Sequence, residues 1–270
     1  MKRESVQTSF HNHQHALEFD LRAAKSDIRA QLTTLLIEAL ELKGPERVLD
    51  IATGTGRFAQ PVYEKVKKGK VVGLDEALPM LGLAREKAQK ESLPGYLQTA
   101  GIAEVLPFHD EVFDCGFVAF SLHHFGRPSL MMEEAHRTLR PGGKLVVLDP
   151  VVLGAQDSMD RSLNDFINMI FRRSHGENFR FYCADEIREL FRRGNFHITR
   201  DDLHSFSFDQ VGMEGIPTGR HWLEVAEGLE GESDEMGKRF KEIYFRYQKE
   251  CKGVYVKGRF SYAMICGESC

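Results

Sequence analysis

The segment Val48-Leu49-Asp50-Ile51-Ala52-Thr53-Gly54-Thr55-Gly56-Arg57-Phe58-Ala59 runs an apolar strand into a Gly-x-Gly turn that opens a helix. Glycine has no Cβ, so backbone at such a turn can approach a ligand closely. Gly54-x-Gly56-x-x-Ala59 fits the dinucleotide fingerprint, and Asp75 follows about twenty residues on, where an acid takes a ribose hydroxyl. On that match alone an NAD-dependent oxidoreductase is one reading. Asp50 separates the alternatives. A carboxylate at the end of the strand repels a pyrophosphate but holds a cationic amino group.

S-adenosylmethionine carries an amino acid tail, a sulfonium, a ribose and an adenine, and no phosphate. Asp50 on the tail and Asp75 on the ribose suit it better than NAD. Methyl transfer from a sulfonium is an in-line displacement, so the protein has mainly to align the reactants and exclude water. A general base is needed only for an acceptor that arrives protonated. His123 and His124 stand where a fourth strand should end, at the rim where open α/β folds bind ligands, and either is a candidate base; a packing or loop role competes. His11, His13 and His15 alternate without a Cys or acid-rich partner. They read as a polar arm or part of a lid, and no metal site is expected. Phe179 to Tyr182 and His221-Trp222 are candidates for the acceptor pocket, with core packing the alternative for the first. Lys238 to Lys249 reads as a solvated helix face.

The elements that must position these groups alternate. Apolar periodicity predicts helix within 17–42, stopped by Gly44-Pro45. Strands are predicted at 47–51, 70–75, 95–100, 113–120 and 144–148, with helices at 57–67, 78–90 and 129–139 between them. Short apolar strands alternating with helices imply a parallel sheet buried on both faces and right-handed crossovers. The expected fold is a doubly wound, seven-stranded, mostly parallel α/β sheet. An N-terminal helical segment (1–44) precedes the core (45–150). Residues 151–270 supply cap helices, a charged insertion at 209–252 with one amphipathic helix, and final strands that complete the sheet.

Five stretches in order sharpen this. Asp50 to Gly56, Val72-Gly73-Leu74-Asp75 with Pro79-Met80-Leu81, Gly101 to Phe108, Ser121-Leu122-His123-His124-Phe125, and Glu134 to Lys144 resemble the successive motifs of the class I S-adenosylmethionine-dependent methyltransferases. The likeness covers about residues 45 to 150 at the family's spacing, nearest in pattern to the menaquinone/ubiquinone-biosynthesis-like (type 11) group. It implies a Rossmann-like methyltransferase fold and methyl transfer to a small organic acceptor. By the same resemblance Asp50 holds the tail, Gly54 and Gly56 permit close approach, and Asp75 binds the ribose. Ala52, Ser121 and the Ile102–Ala103 backbone complete the pocket. Glu76 is a further ribose or adenine-edge contact, or a solvated acid at a helix start. The family often has Asp where Ile102 stands, to bind the adenine amino group; Ile102 cannot, which leaves a non-catalytic S-adenosylmethionine-binding protein as a further alternative.

Composition bounds the rest. With 42% apolar residues among 270, the chain can bury a sizeable core. A net charge of −4 disfavours nucleic acid as partner. The longest apolar run, Leu145 to Leu153, is broken by Asp149 and Pro150, so no membrane span is expected. Five cysteines without a C-x-x-C indicate neither a disulfide framework nor a thiolate zinc site, and the N-terminus lacks an apolar signal core, which together predict a cytoplasmic protein. Oligomeric state is left open, a homodimer included.

Overall fold

A computed structural model describes residues 11–270 apart from 25, 67, 232–233 and 251–252; the start of the expected polar arm lies outside the described residues. The predicted helical stretch after it is two helices, α1 (His13–Ala23) and α2 (Asp27–Leu40). Ser26 makes the break: it is extended, and its hydroxyl accepts the Arg29 amide as an N-cap. From there α2 buries Leu32, Leu36, Ala39 and Leu40, one stripe at helical spacing.

The alternation follows as expected: β1 (Arg47–Ile51), α3 (Ala59–Lys65), β2 (Lys70–Asp75), α4 (Leu78–Lys90), β3 (Tyr96–Ala100), β4 (Phe113–Ala119), α5 (Pro128–Thr138) and β5 (Leu139–Val151). Then come α6 (Ser158–His175), α7 (Ala184–Arg193), β6 (Phe196–Val211), α8 (Gly219–Gly228), α9 (Asp234–Ile243), β7 (Phe245–Glu250) and β8 (Gly253–Ser269). The sheet order is β3-β2-β1-β4-β5-β8-β6. Strands β1 to β5 run parallel, and β8 is antiparallel to both β5 and β6. No helix among the described residues is long and apolar enough to cross a membrane.

Besides the seven expected strands, β7 adds an eighth, inside the insertion read as purely helical beyond its charged loop. Tyr244 and Tyr247 fit the helical spacing of Met236, Phe240 and Ile243. From Phe245 onward, however, Phe245 and Tyr247 turn inward while Arg246 and Gln248 are exposed, and the chain turns back as a hairpin onto β8. β8 changes neighbour along its length. Residues 253–258 pair with β7 and 261–268 with β5, so the two strands lie end to end on one edge of β8.

Successive side chains of the central strands enter opposite cores. Val48, Val71, Phe117 and Val146 pack on one face, Leu49, Leu74, Val118 and Val147 on the other. The order reverses between β1 and β4, and there the parallel strand ends open toward the cleft that such sheets use for ligands.

Candidate active site

The glycine loop leaves β1 with Ala52, Gly54 and Gly56 all at positive φ (61°, 54° and 78°). Thr53 pins it. Its amide donates to the Leu74 carbonyl (2.9 Å), its hydroxyl donates to the Asp50 carboxyl (2.6 Å), and the same oxygen meets the Tyr96 hydroxyl at 2.9 Å. A Cβ on Gly56 would stand 2.6 Å from that Tyr96 oxygen. Gly56→Ala therefore meets both a backbone that disfavours L side chains and a filled space. We expect it to lower stability by about 1–3 kcal/mol, read as a fall in melting temperature; an unchanged melt would mean the loop can repack.

Asp75 spans the loop and the next helix: Oδ2 accepts the Gly54 amide (2.7 Å) and Oδ1 the Ala77 amide at the head of α4 (2.9 Å). Burial raises its pKa, against the lowering effect of those two amides. The Gly56 amide donates to the Thr53 carbonyl (2.9 Å), so both glycine N–H groups are spent within the loop. A pyrophosphate would find neither, whereas an uncharged nucleoside with hydroxyls for Asp75 needs neither. The donor set fits S-adenosylmethionine and argues against NAD.

Helix α1 is latched over this loop. Its Asp20 accepts from the Thr55 hydroxyl and from Lys87, pairs with Arg57 at 3.0 Å, and its backbone carbonyl also receives Arg57. Burial pushes the Asp20 carboxyl up, but the Lys87 and Thr55 hydrogen bonds and the Lys87 and Arg57 charges outweigh it and hold the pKa below the ordinary value.

A cavity of about 1190 Å³ opens above the strand ends. Ala52, Gly54, Asp75, Glu76, Ile102, Ala103, Ser121, His123 and His124 all border it. Gly56 does not, and neither does Asp50, whose side chain is 2% exposed beneath the loop. Burial raises the Asp50 pKa to about 8, partly offset by the Thr53 hydrogen bond and reinforced by Asp75. Ile102 presents an apolar surface, 43% exposed, to the cavity. His11, His15, Phe181 and the His221-Trp222 pair also reach the wall, whereas His13, Phe179, Arg180 and Tyr182 do not. Lys249, from the stretch read as a helix face, stands in β7. Among the described residues no cluster of three or more His, Cys, Asp or Glu is disposed to hold a metal.

At the far end the two adjacent histidines differ. His123 Nδ1 lies 2.8 Å from Asp149 Oδ2, which also accepts the His123 amide at 3.2 Å. Asp149 sits at the end of β5 with no exposure, and its Oδ1 has no hydrogen-bond partner. A carboxylate on Nδ1 fixes the proton there and leaves Nε2 with its lone pair. Burial, then the His123 and His175 charges, holds the His124 pKa well below the ordinary histidine value, so His124 stays neutral. His175 is drawn down to about 3 by burial, then by His221, and its Nδ1 donates to the Phe171 carbonyl at 3.1 Å. Phe181 stacks on Trp222 (centroids 5.6 Å apart), Trp222 packs on Phe260 (4.7 Å), and Phe120 on Tyr262 (5.4 Å). The result is a chamber walled by aromatic rings, with His123 oriented by a carboxylate and His175 by a backbone carbonyl.

Sequence reasoning missed Asp149, noticed only as an interruption of an apolar run, and also His175, Tyr262 and Arg29, which border the cavity from α6, β8 and α2. An Asp-Pro at the end of a central strand was the available signal for the first; nothing local marks the others.

Comparison with known proteins bears on the same residues. Residues 49–147 match the family described as "Methyltransferase domain". A demethylmenaquinone methyltransferase of Thermus thermophilus is 44% identical over 112 residues, 41% of this chain and 50% of the relative. A ubiquinone/menaquinone biosynthesis C-methyltransferase of a Ruegeria species is 36% identical over 105 residues, 38% of this chain and 42% of the relative. The chain thus matches about half the length of these curated relatives. Among solved structures, the Bacillus YcgJ protein superposes with a TM-score of 0.70 at 22% identity, over 88% of this chain and 97% of that one. An Aquifex aeolicus S-adenosylmethionine-dependent methyltransferase gives 0.54 at 21%, over 70% and 91%. At such identities these likenesses establish the fold.

Proposed function

We propose that this chain, whose residues 49–147 match a methyltransferase domain, is an S-adenosylmethionine-dependent methyltransferase that methylates a small organic acceptor with a flat apolar body and a weakly acidic proton. The observation that carries the reading is one cavity that joins the glycine loop and Asp75 at one end to His123, Trp222 and Phe260 at the other. When bound, the cofactor supplies a methyl group already activated on a sulfonium. Asp75 and Glu76 hold the ribose, the Ile102–Ala103 backbone meets the adenine edge, and Ala52 and Ser121 line the path toward the reacting end. The aromatic chamber excludes water and fixes the acceptor, which is most of what an in-line displacement requires. His123 Nε2 accepts the acceptor's proton, and Asp149 stabilises the imidazolium that results. Names of the matched relatives, which act on demethylmenaquinone, are consistent with such an acceptor. Those alignments cover about 40% of this chain, and Trp222 and Phe260 of the acceptor chamber lie outside the residues 49–147 that match the family.

The test is calorimetric titration with S-adenosylmethionine, S-adenosylhomocysteine and NAD in parallel, followed by detection of S-adenosylhomocysteine formed in the presence of naphthols and phenols. Micromolar binding of the first two with none for NAD supports the reading; NAD binding alone overturns it. Cofactor binding with no turnover on any acceptor would favour a binding protein. Asp75→Asn should weaken S-adenosylhomocysteine binding by about 1.5–3 kcal/mol, the size of a charge-assisted hydrogen bond, and erase discrimination against the 2′-deoxy analogue. Discrimination that survives the change removes Asp75 from the ribose.

A further inference from the structure

Arg29, half-buried on the cavity wall, has no acid opposite it among the described residues. It stands in the first turn of α2, its guanidinium carbon 4.4 Å from the centroid of the Phe120 ring and 5.7 Å from that of Phe19. Of the neighbouring cations, Arg57 and Lys87 both meet Asp20, and Arg22 and Arg127, which also border the cavity, are exposed to solvent. Arg29 has no carboxylate partner among the described residues. Burial draws its pKa to about 10, with Tyr262 opposing and Arg57 adding to the fall, so it keeps its charge at neutral pH. A partly desolvated guanidinium is costly to hold unpaired, and two ring faces compensate only part of that cost. Its N–H donors form a planar fork that matches a carboxylate in two parallel hydrogen bonds.

Its place in the cavity narrows the ligand. Phe120 directly follows β4 and precedes Ser121, whose hydroxyl donates to the Ala52 carbonyl at 3.4 Å. Arg29 therefore stands over the junction of the glycine loop with the end of β4, between the nucleoside end and the aromatic chamber. Asp50, expected to hold the amino acid tail, does not reach this space. We propose that Arg29 is a carboxylate anchor and that the cavity's ligands present a carboxylate to it. Two molecules could bring that group: the cofactor, through its amino acid tail, or an acidic acceptor. The inference rests on the methyltransferase reading above.

Calorimetry on the intact protein separates these sources. S-adenosylhomocysteine is compared with its carboxamide, and, with S-adenosylhomocysteine present, 4-hydroxybenzoate is compared with 4-hydroxybenzamide. At least one acid should bind about ten- to a hundredfold more tightly than its amide, and the pair that differs identifies the source. Arg29→Met should abolish that preference while 5′-methylthioadenosine, which has no carboxylate, binds as before; Arg29→Lys should restore part of it. The wild-type acid–amide comparison stands even where a variant fails to fold. S-adenosylhomocysteine binding with acid and amide indistinguishable in both pairs, or a preference that persists in folded Arg29→Met, overturns this inference alone. No binding of S-adenosylhomocysteine to the wild type overturns the methyltransferase reading and this inference with it.

Discussion

His123→Gln is expected to leave S-adenosylhomocysteine binding intact and to slow methyl transfer by about 10²–10⁴-fold, the usual contribution of a positioned base. Glutamine can still donate to Asp149 from its amide, so the 2.8 Å contact can be replaced without exposing the buried carboxylate. What it cannot do is accept a proton. Asp149→Asn tests the other half of the pair. An asparagine keeps an oxygen for the His123 amide and the Nδ1 proton but has no charge to stabilise the imidazolium, so the rate should fall while melting shifts little. Were Asp149 only a packing partner, its replacement would change the melt and leave the pH–rate profile as it was. A folded His123→Gln that turns over at the wild-type rate would remove the base from the mechanism and leave alignment as the whole of the catalysis.

The second large effect concerns stability. Burial raises the Asp50 pKa from 3.8 to about 8, so the folded protein holds this proton across a range in which the unfolded chain has lost it. Its contribution is most favourable near pH 4 and declines as pH rises toward 8, because deprotonating the buried group is costly. Asp50→Asn has no charge to bury and keeps an oxygen for the Thr53 hydroxyl. We therefore expect the variant to be more stable than the wild type by on the order of 2–5 kcal/mol at pH 8.5, with little difference near pH 4, measured by chemical denaturation at both. S-adenosylhomocysteine affinity should be nearly unchanged, since Asp50 does not border the cavity. A loss of about 1.5–3 kcal/mol in that affinity would return Asp50 to the tail-binding role that its sequence context suggests.

That contrast shows where sequence reading works and where it stops. The glycine loop, Asp75 and the histidine pair were legible because each sits at the end of a short apolar run, and a parallel sheet gathers all such ends on one rim. The burial of Asp50 was not legible, because one-dimensional spacing says that a carboxylate is near the loop but not on which side of it. β1 lies between β2 and β4, and the Thr53 hydroxyl draws the carboxyl under the turn. Asp149 and Arg29 were invisible for a related reason. Each gains its role from a group distant in sequence, His123 for one and the Phe120 ring for the other. The break at Ser26 and the strand β7 were lost to competing periodicities, where a cap or a hairpin outweighs an apolar stripe.

The succession of β7 and β5 along one edge of β8 bears on how such a chain could acquire new chemistry. Phe260 and Tyr262 stand at the seam where β8 passes from one neighbour to the other, and both face the cavity. The part of the chamber wall that β8 supplies and the strands that carry the glycine loop and Asp75 are therefore one hydrogen-bonded sheet. A substitution at the seam reshapes the pocket without altering how two bodies close on one another. The cavity wall can change one side chain at a time, while the strand ends that carry the glycine loop and Asp75 stay in place.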